Sequence, residues 1–163
     1  MREINVQQII DTVEKLCIDA NTHLPSDVKC AIKNCRACED WDIAQGVLDK
    51  IIENYEIADS QCVPICQDTG MAVIFMEIGQ EVHFEGGDLE DAINEGVRQG
   101  YTDGYLRKSI VCDPLFDRKN TGDNTPAVIH YSFAEGDKVR IVFAPKGGGS
   151  ENMSAIKMLK VSE

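Results

Sequence analysis

Apolar positions recur every three to four residues through the first third of the chain and then shift to near-continuous runs. That change of period divides the sequence into a helical part, 1–60, and an α/β part, 61–163. Val6, Ile9, Ile10, Val13, Leu16, Cys17 and Ala20 mark one face of a first helix. Pro25 opens a second, where its fixed φ and missing N–H cost least. Val28, Ala31, Ile32, Cys35 and Cys38 would line its inner face. Asp40 or Asp42 can cap a third, striped by Ile43, Ala44, Val47, Leu48, Ile51, Ile52 and Tyr55. All three helices are expected to form core.

Residues 71–78 have the length and composition of a buried strand. A loop over 79–87 follows, and Asp88 caps the best-patterned helix, with Leu89, Ala92, Ile93, Val97, Tyr101 and Tyr105 at helical spacing. Gly96, Gly100 and Gly104 lie on a neighbouring line of that helix. Each costs about 1 kcal/mol relative to Ala, so three together predict close approach of another backbone. Two β-runs, 127–133 and 138–144, flank Glu135-Gly136-Asp137 and read as a hairpin. A last helix is expected to start at Ser150 or Asn152, about three turns before Glu163, which suggests part of something larger. The fold expectation is α+β: a single domain in which an N-terminal helical layer packs on a mixed or antiparallel sheet with one long covering helix.

With 163 residues, 43% of them hydrophobic, the chain can bury a sizeable core. A net charge of −12 argues against nucleic acid and anionic membranes as general partners. A local basic pocket could still take a small anion, with Arg107, Lys108, Arg118, Lys119 and Lys146 as candidates. No apolar run approaches the ~20 residues of a membrane span. Seven cysteines without a signal-like N-terminus point to the cytoplasm, where thiols stay free, bind metal or catalyse.

Chemistry concentrates in Pro64-Ile65-Cys66-Gln67-Asp68-Thr69-Gly70, where thiol, amide, carboxylate and hydroxyl stand in succession at the entrance to a strand. Loops held by rigid elements commonly carry function; the plainer reading is a polar turn with a buried Cys. Lys146-Gly147-Gly148-Gly149-Ser150 lies between a strand and a helix start, where backbone N–H groups can approach an anion. It lacks the Walker pattern, so a carboxylate suits it as well as a phosphate, and a flexible glycine turn is the alternative. Cys30, Cys35 and Cys38 have a ferredoxin-like spacing, with Cys62 or Cys66 as a distant fourth. Their helical context favours small buried hydrophobes instead. His23, His83 and His130 are scattered without zinc-ligand spacing.

Three strings in order, residues 64–70, Asn120-Thr121-Gly122-Asp123-Asn124-Thr125-Pro126, and 146–152, resemble the signature of the iron–sulfur-dependent class I fumarase and tartrate dehydratase family. The likeness is to its α subunit or N-terminal domain, and includes Leu24-Pro25 and Tyr105-Leu106-Arg107-Lys108-Ser109. It implies a hydro-lyase acting on a four-carbon dicarboxylate, fumarate/malate or tartrate/oxaloacetate, with both pairs open. It also implies a 4Fe-4S cluster held by three cysteines, with Cys66 as the first ligand. Gln67 and Asp68 would reach the substrate or the cluster edge, Arg107 would grip a carboxylate, and Gly147, Gly148 and Gly149 would offer amides. The other two ligands and the proton-transferring residues would lie beyond this sequence, on a continuation and on a β subunit or C-terminal domain. This chain alone would then be inactive and without a stable cluster. A homodimer is expected from exposed apolar surface and the glycine line. The competing readings are a ferredoxin-like electron carrier and a non-catalytic assembly module docking through its glycine-rich helix.

Overall fold

The computed structural model describes residues 1–162; Glu163, the expected end of the last helix, lies outside them. The chain runs β1 (Arg2–Asn5), α1 (Val6–Thr22), α2 (Ser26–Cys38), α3 (Asp42–Gln61), β2 (Met71–Gly79), β3 (Val82–Glu85), α4 (Leu89–Asp103), β4 (Val128–Ala134) and β5 (Val139–Lys146). The class is α+β, as expected, with a mixed three-stranded sheet in the order β4-β2-β5.

The buried strand is β2. Its inward residues Ala72, Ile74 and Met76 are shielded from solvent and join Ile9, Val13 and Cys17 of α1 and Ile93, Val97 and Tyr101 of α4 in one core. α1, from the N-terminal helical layer, and α4, the expected long covering helix, therefore share one core with the sheet. They approach closely because α4 presents its glycine line to α1. A Cβ on Gly96 would stand 2.7 Å from the Ile10 carbonyl oxygen, and one on Gly100 would stand 2.6 Å from Cys17 Cβ. The backbone expected to pack there is α1 of the same chain, which removes the glycine line as a docking surface for a partner. Asp88 caps α4 by accepting from the N–H groups of Glu90 and Asp91. Tyr105 departs from the stripe: it lies past the helix end at φ 53° and is 91% exposed.

The expected hairpin is split. β4 runs parallel to β2 and β5 antiparallel to it, so β2 occupies the place between them. The turn at 135–137 crosses the end of β2, where Gly79 N–H donates to Lys138 O and Gln80 N–H to Ala134 O. The loop expected over 79–87 contains β3, which pairs in parallel with β1. Both short strands were absent from the sequence reading. After β5 the chain makes a 3₁₀ turn, Gly148–Met153, rather than the expected α-helix.

The second and third helices correct another expectation. α2 buries no residue, and α3 buries only Tyr55 and Ala58. Val28, Ile43, Val47 and Ile51 are exposed, so these helices form a hairpin beside the core rather than part of it. Among the described residues no helix is long and apolar enough to cross a membrane.

Candidate functional site

Segments 66–70, 107–110 and 146–148 meet at the Met71 end of β2, where that strand begins and β5 ends. The meeting point is fixed by Gly70, whose φ of 70° and contact with the Lys146 backbone leave no room for a side chain. Asp68, Gly70, Met71, Arg107, Ser109, Ile110, Lys146 and Gly148 line a cleft of about 300 Å³.

Asp68 is the centre of its charge pattern. One carboxylate oxygen accepts from Gly148 N–H at 2.7 Å and the other from Gly70 N–H at 3.0 Å. The Gly148 amide, then the Gly70 amide, hold its carboxyl below the usual range against a small opposing effect of burial; Arg107 and Lys146 add to the lowering. The group is a carboxylate at neutral pH. The glycine loop does hold an anion on its backbone, and in this structure that anion is the chain's own Asp68. Gly147 also abuts Asp68, whereas Gly149 has nothing within 4 Å of its Cβ position.

Cys66 stands beside the cleft and is exposed, contrary to the reading of a turn with a buried Cys. Its sulfur accepts the Asp68 N–H at 3.5 Å, and its thiol donates to Gln67 Oε1 at 3.2 Å. Of the candidate basic residues, Arg107 and Lys146 line the cleft; Lys108, Arg118 and Lys119 do not. Cys30, Cys35 and Cys38 are exposed along α2 rather than buried, and no group of three His, Cys, Asp or Glu gathers as a metal site among the described residues. The electron-carrier reading loses its geometric basis. Cys17 behaves as a packing residue, with burial pushing its thiol up to about 12.

Residues given no individual role in the sequence reading hold the site together, some inside the motif strings (Thr69, Asn124) and some outside them (Tyr101, Asn21, Asn54). Tyr101, read only as a member of an apolar stripe, donates its hydroxyl to Thr69 O at 2.9 Å, with Gly70 O at 3.2 Å. Burial pushes its phenol well above the ordinary range, so it remains a donor. Thr69 Oγ1 donates to Arg107 O at 3.1 Å, and Asn124 connects Gly70 to Ser109. Below the thiol, Ile65 N–H donates to Asn21 O and Asn54 donates to Ile65 O. Thr69 and Asn124 were signalled by their motif strings, whereas Tyr101, Asn21 and Asn54 offered only a polar group at an otherwise apolar or helical position.

The sequence profile of the fumarate hydratase (Fumerase) family matches residues 10–163. A protein of Methanocaldococcus jannaschii named as an L(+)-tartrate dehydratase subunit alpha is 38% identical over 161 residues, covering 96% of this chain and 56% of its own length. The anaerobic class I fumarate hydratase of Escherichia coli is 38% identical over 104 residues, 63% of this chain and 19% of that protein. The mitochondrial fumarate hydratase 1 of Leishmania major is 37% identical over 106 residues, 64% of this chain and 19% of that protein. The chain thus spans little more than half of the archaeal relative and about a fifth of the other two. The matched residues take in all three segments that build the cleft, and the chain belongs to the fumarate hydratase (Fumerase) family.

Proposed function

We propose that this chain forms one wall of the active site of a hydro-lyase that adds or removes water across a four-carbon dicarboxylate. The observation that carries the reading is the convergence of Asp68, Arg107, Lys146 and the Gly148 amide on one cleft beside an exposed Cys66. Such a cleft suits a small dianion, which the net charge of the chain would otherwise repel. The names of the relatives support fumarate/malate and tartrate/oxaloacetate as the substrate pairs.

Arg107 would grip one substrate carboxylate through paired N–H donors, with Lys146 adding charge. For that carboxylate to reach the Gly148 amide, Asp68 must turn away, because it holds that N–H now. Gln67, whose Oε1 now accepts from the Cys66 thiol, would reach the substrate or stay at the cluster edge. A 4Fe-4S cluster, when bound, supplies a Lewis acid for the leaving hydroxyl. The donor set here fits one corner of it: an accessible sulfur already accepting a backbone N–H, as cluster thiolates do. No group of three His, Cys, Asp or Glu gathers at Cys66 among the described residues. We take the remaining ligands and the proton-transferring groups to come from other parts of the enzyme, including a β subunit or C-terminal domain. By itself this chain would be inactive, and the whole would work in the reducing cytoplasm. With the glycine line covered by α1, a homodimer would rest on exposed apolar surface alone, and the α3 face carrying Ile43, Val47 and Ile51 offers one.

The test uses the intact enzyme with purified C4 dicarboxylates. Cys66→Ser should lose its iron, whereas Cys38→Ser should keep it. Arg107→Lys retains charge but not the planar fork. It should keep iron and lower kcat/KM about tenfold or more, or about 1.4 kcal/mol of transition-state stabilisation. Iron lost from a folded Cys38→Ser enzyme would revive the electron-carrier reading, and normal kinetics in Arg107→Lys would remove Arg107 from the site.

A further inference from the structure

We infer that Asn124 is a positioning residue: its buried amide sets the span across the cleft between the loop carrying Asp68 and the segment carrying Arg107. The inference rests on the hydro-lyase reading for what the cleft binds, though not for the network itself. Asn124 is 0% exposed. Its Nδ2 donates to Gly70 O at 3.2 Å, and its Oδ1 accepts from Ser109 N–H at 2.8 Å. The partners fix which end is which, since a carbonyl needs a donor and an N–H needs an acceptor.

Each partner stands two residues from a charged group of the cleft. Gly70 follows Asp68 and gives its own N–H to that carboxylate. Ser109 follows Arg107, and Thr69 Oγ1 adds a second strut to Arg107 O. An asparagine that merely closes its own loop would satisfy local backbone groups. This one joins positions 54 and 15 residues away in the chain. Displacing either end would change the distance between Asp68 and Arg107, and alignment within a fraction of an ångström is what such sites depend on.

Two variants of the intact enzyme test this. Asn124→Gly removes both bonds and accepts the φ of 64° without strain. Asn124→Asp keeps the size and the Ser109 acceptor but sets an oxygen against Gly70 O. Amide hydrogen exchange is read at Ser109 and Gly148, with Val97 in α4 as the reference for global opening. In Asn124→Gly both amides should exchange about tenfold faster or more relative to Val97, the scale of one lost buried hydrogen bond. In Asn124→Asp the Gly148 amide should speed up while Ser109 changes less. The Gly148 amide is bonded to Asp68 and not to Asn124 among the described residues, so its response distinguishes positioning across the cleft from loss of Asn124's own bonds.

KM for the dicarboxylate should rise by a similar factor in both variants, with a smaller change in kcat. Unchanged Gly148 exchange, or a wild-type KM in a folded variant, overturns the inference. Should Asn124→Gly fail to fold, Asn124→Asp decides alone. A wild-type enzyme inactive on every C4 dicarboxylate would overturn the hydro-lyase reading, and the exchange result would still decide the role of Asn124.

Discussion

The chain contains two helix pairs that look alike as patterns and differ as structures. α1 and α4 meet along Gly96, Gly100 and Gly104 and bury Ile9, Val13, Cys17, Ile93, Val97 and Tyr101 against the sheet. α2 and α3 also carry apolar stripes, yet Val28, Ile43, Val47 and Ile51 remain exposed. Ion pairs cross between them, Arg36 with Asp49, Lys33 with Glu56 and Lys29 with Asp59, with Lys29 and Lys33 also over the Tyr55 ring. Their apolar burial is partial, at Ile32, Leu48 and Ile52. Periodicity therefore reports that a helix has an apolar face, not that the face is covered by this chain. The first pair is held by area and close approach, the second by a smaller apolar contact and by ion pairs that contribute little in water.

The largest contrast should appear on removing one isoleucine from each pair. Ile93 is fully buried, so Ile93→Ala should cost about 2–5 kcal/mol through lost transfer energy and a cavity. Ile51 is 42% exposed, and in the dilute monomer Ile51→Ala should stay within about 0.5 kcal/mol. Urea unfolding at two protein concentrations reads both. If a second copy covers α3, the Ile51→Ala cost should grow with concentration, because association stabilises by mass action. Equal costs for both variants at high dilution would erase the distinction between the pairs.

Glycine should separate the pairs by sign. Adding a methyl at Gly100 meets Cys17 Cβ and the Glu14 carbonyl oxygen at 2.8 Å or less, so Gly100→Ala should lose about 1–3 kcal/mol despite better helix propensity. Gly46 in α3 has nothing within 4 Å of the added carbon, and Gly46→Ala should gain about 0.5–1 kcal/mol. Thermal melts of the two variants shifting in the same direction would contradict the close packing of α1 on α4.

The legible parts of the fold were those decided locally. The α1 and α4 stripes, the Asp88 cap and β2 follow from neighbours in sequence. The split of β4 from β5 does not, because nothing at 135–137 announces that β2 lies between the two strands. Val82-His83-Phe84-Glu85 alternates as a strand should, but glycines on both sides made it read as loop, and its partner β1 lies at the other end of the helical part. In the site, Cys66, Asp68 and the glycine loop stood out as motifs. Asn124 stood in a motif string but without a role of its own, and Tyr101 resembles core, until the fold brings Gly70 to both.

The smallest effect concerns the charge that latches α2 to α3. Arg36 meets Asp49 with two N–H donors, Nε at 2.6 Å and a terminal nitrogen at 3.0 Å. That hydrogen bonding, with the charges of Arg36 and Lys50 adding to it, holds the Asp49 carboxyl below its ordinary 3.8. A depressed folded-state value means that the contribution is fully present above 3.8 and is lost as pH falls through the lower folded value. Asp49→Asn removes the ionised partner. Amides of α2 should therefore exchange modestly faster in Asp49→Asn than in wild type at neutral pH, and the ratio should close as Asp49 protonates. Salt near 1 M, where the screening length falls to about 3 Å, should close most of it at neutral pH as well. Amides of α1 and α4, whose contact contains no ion pair between them, should show no such ratio under any of these conditions. A ratio that persists in acid would mean that α2 is held to α3 by packing rather than by the Arg36–Asp49 pair, and the contrast between the two helix pairs would narrow accordingly.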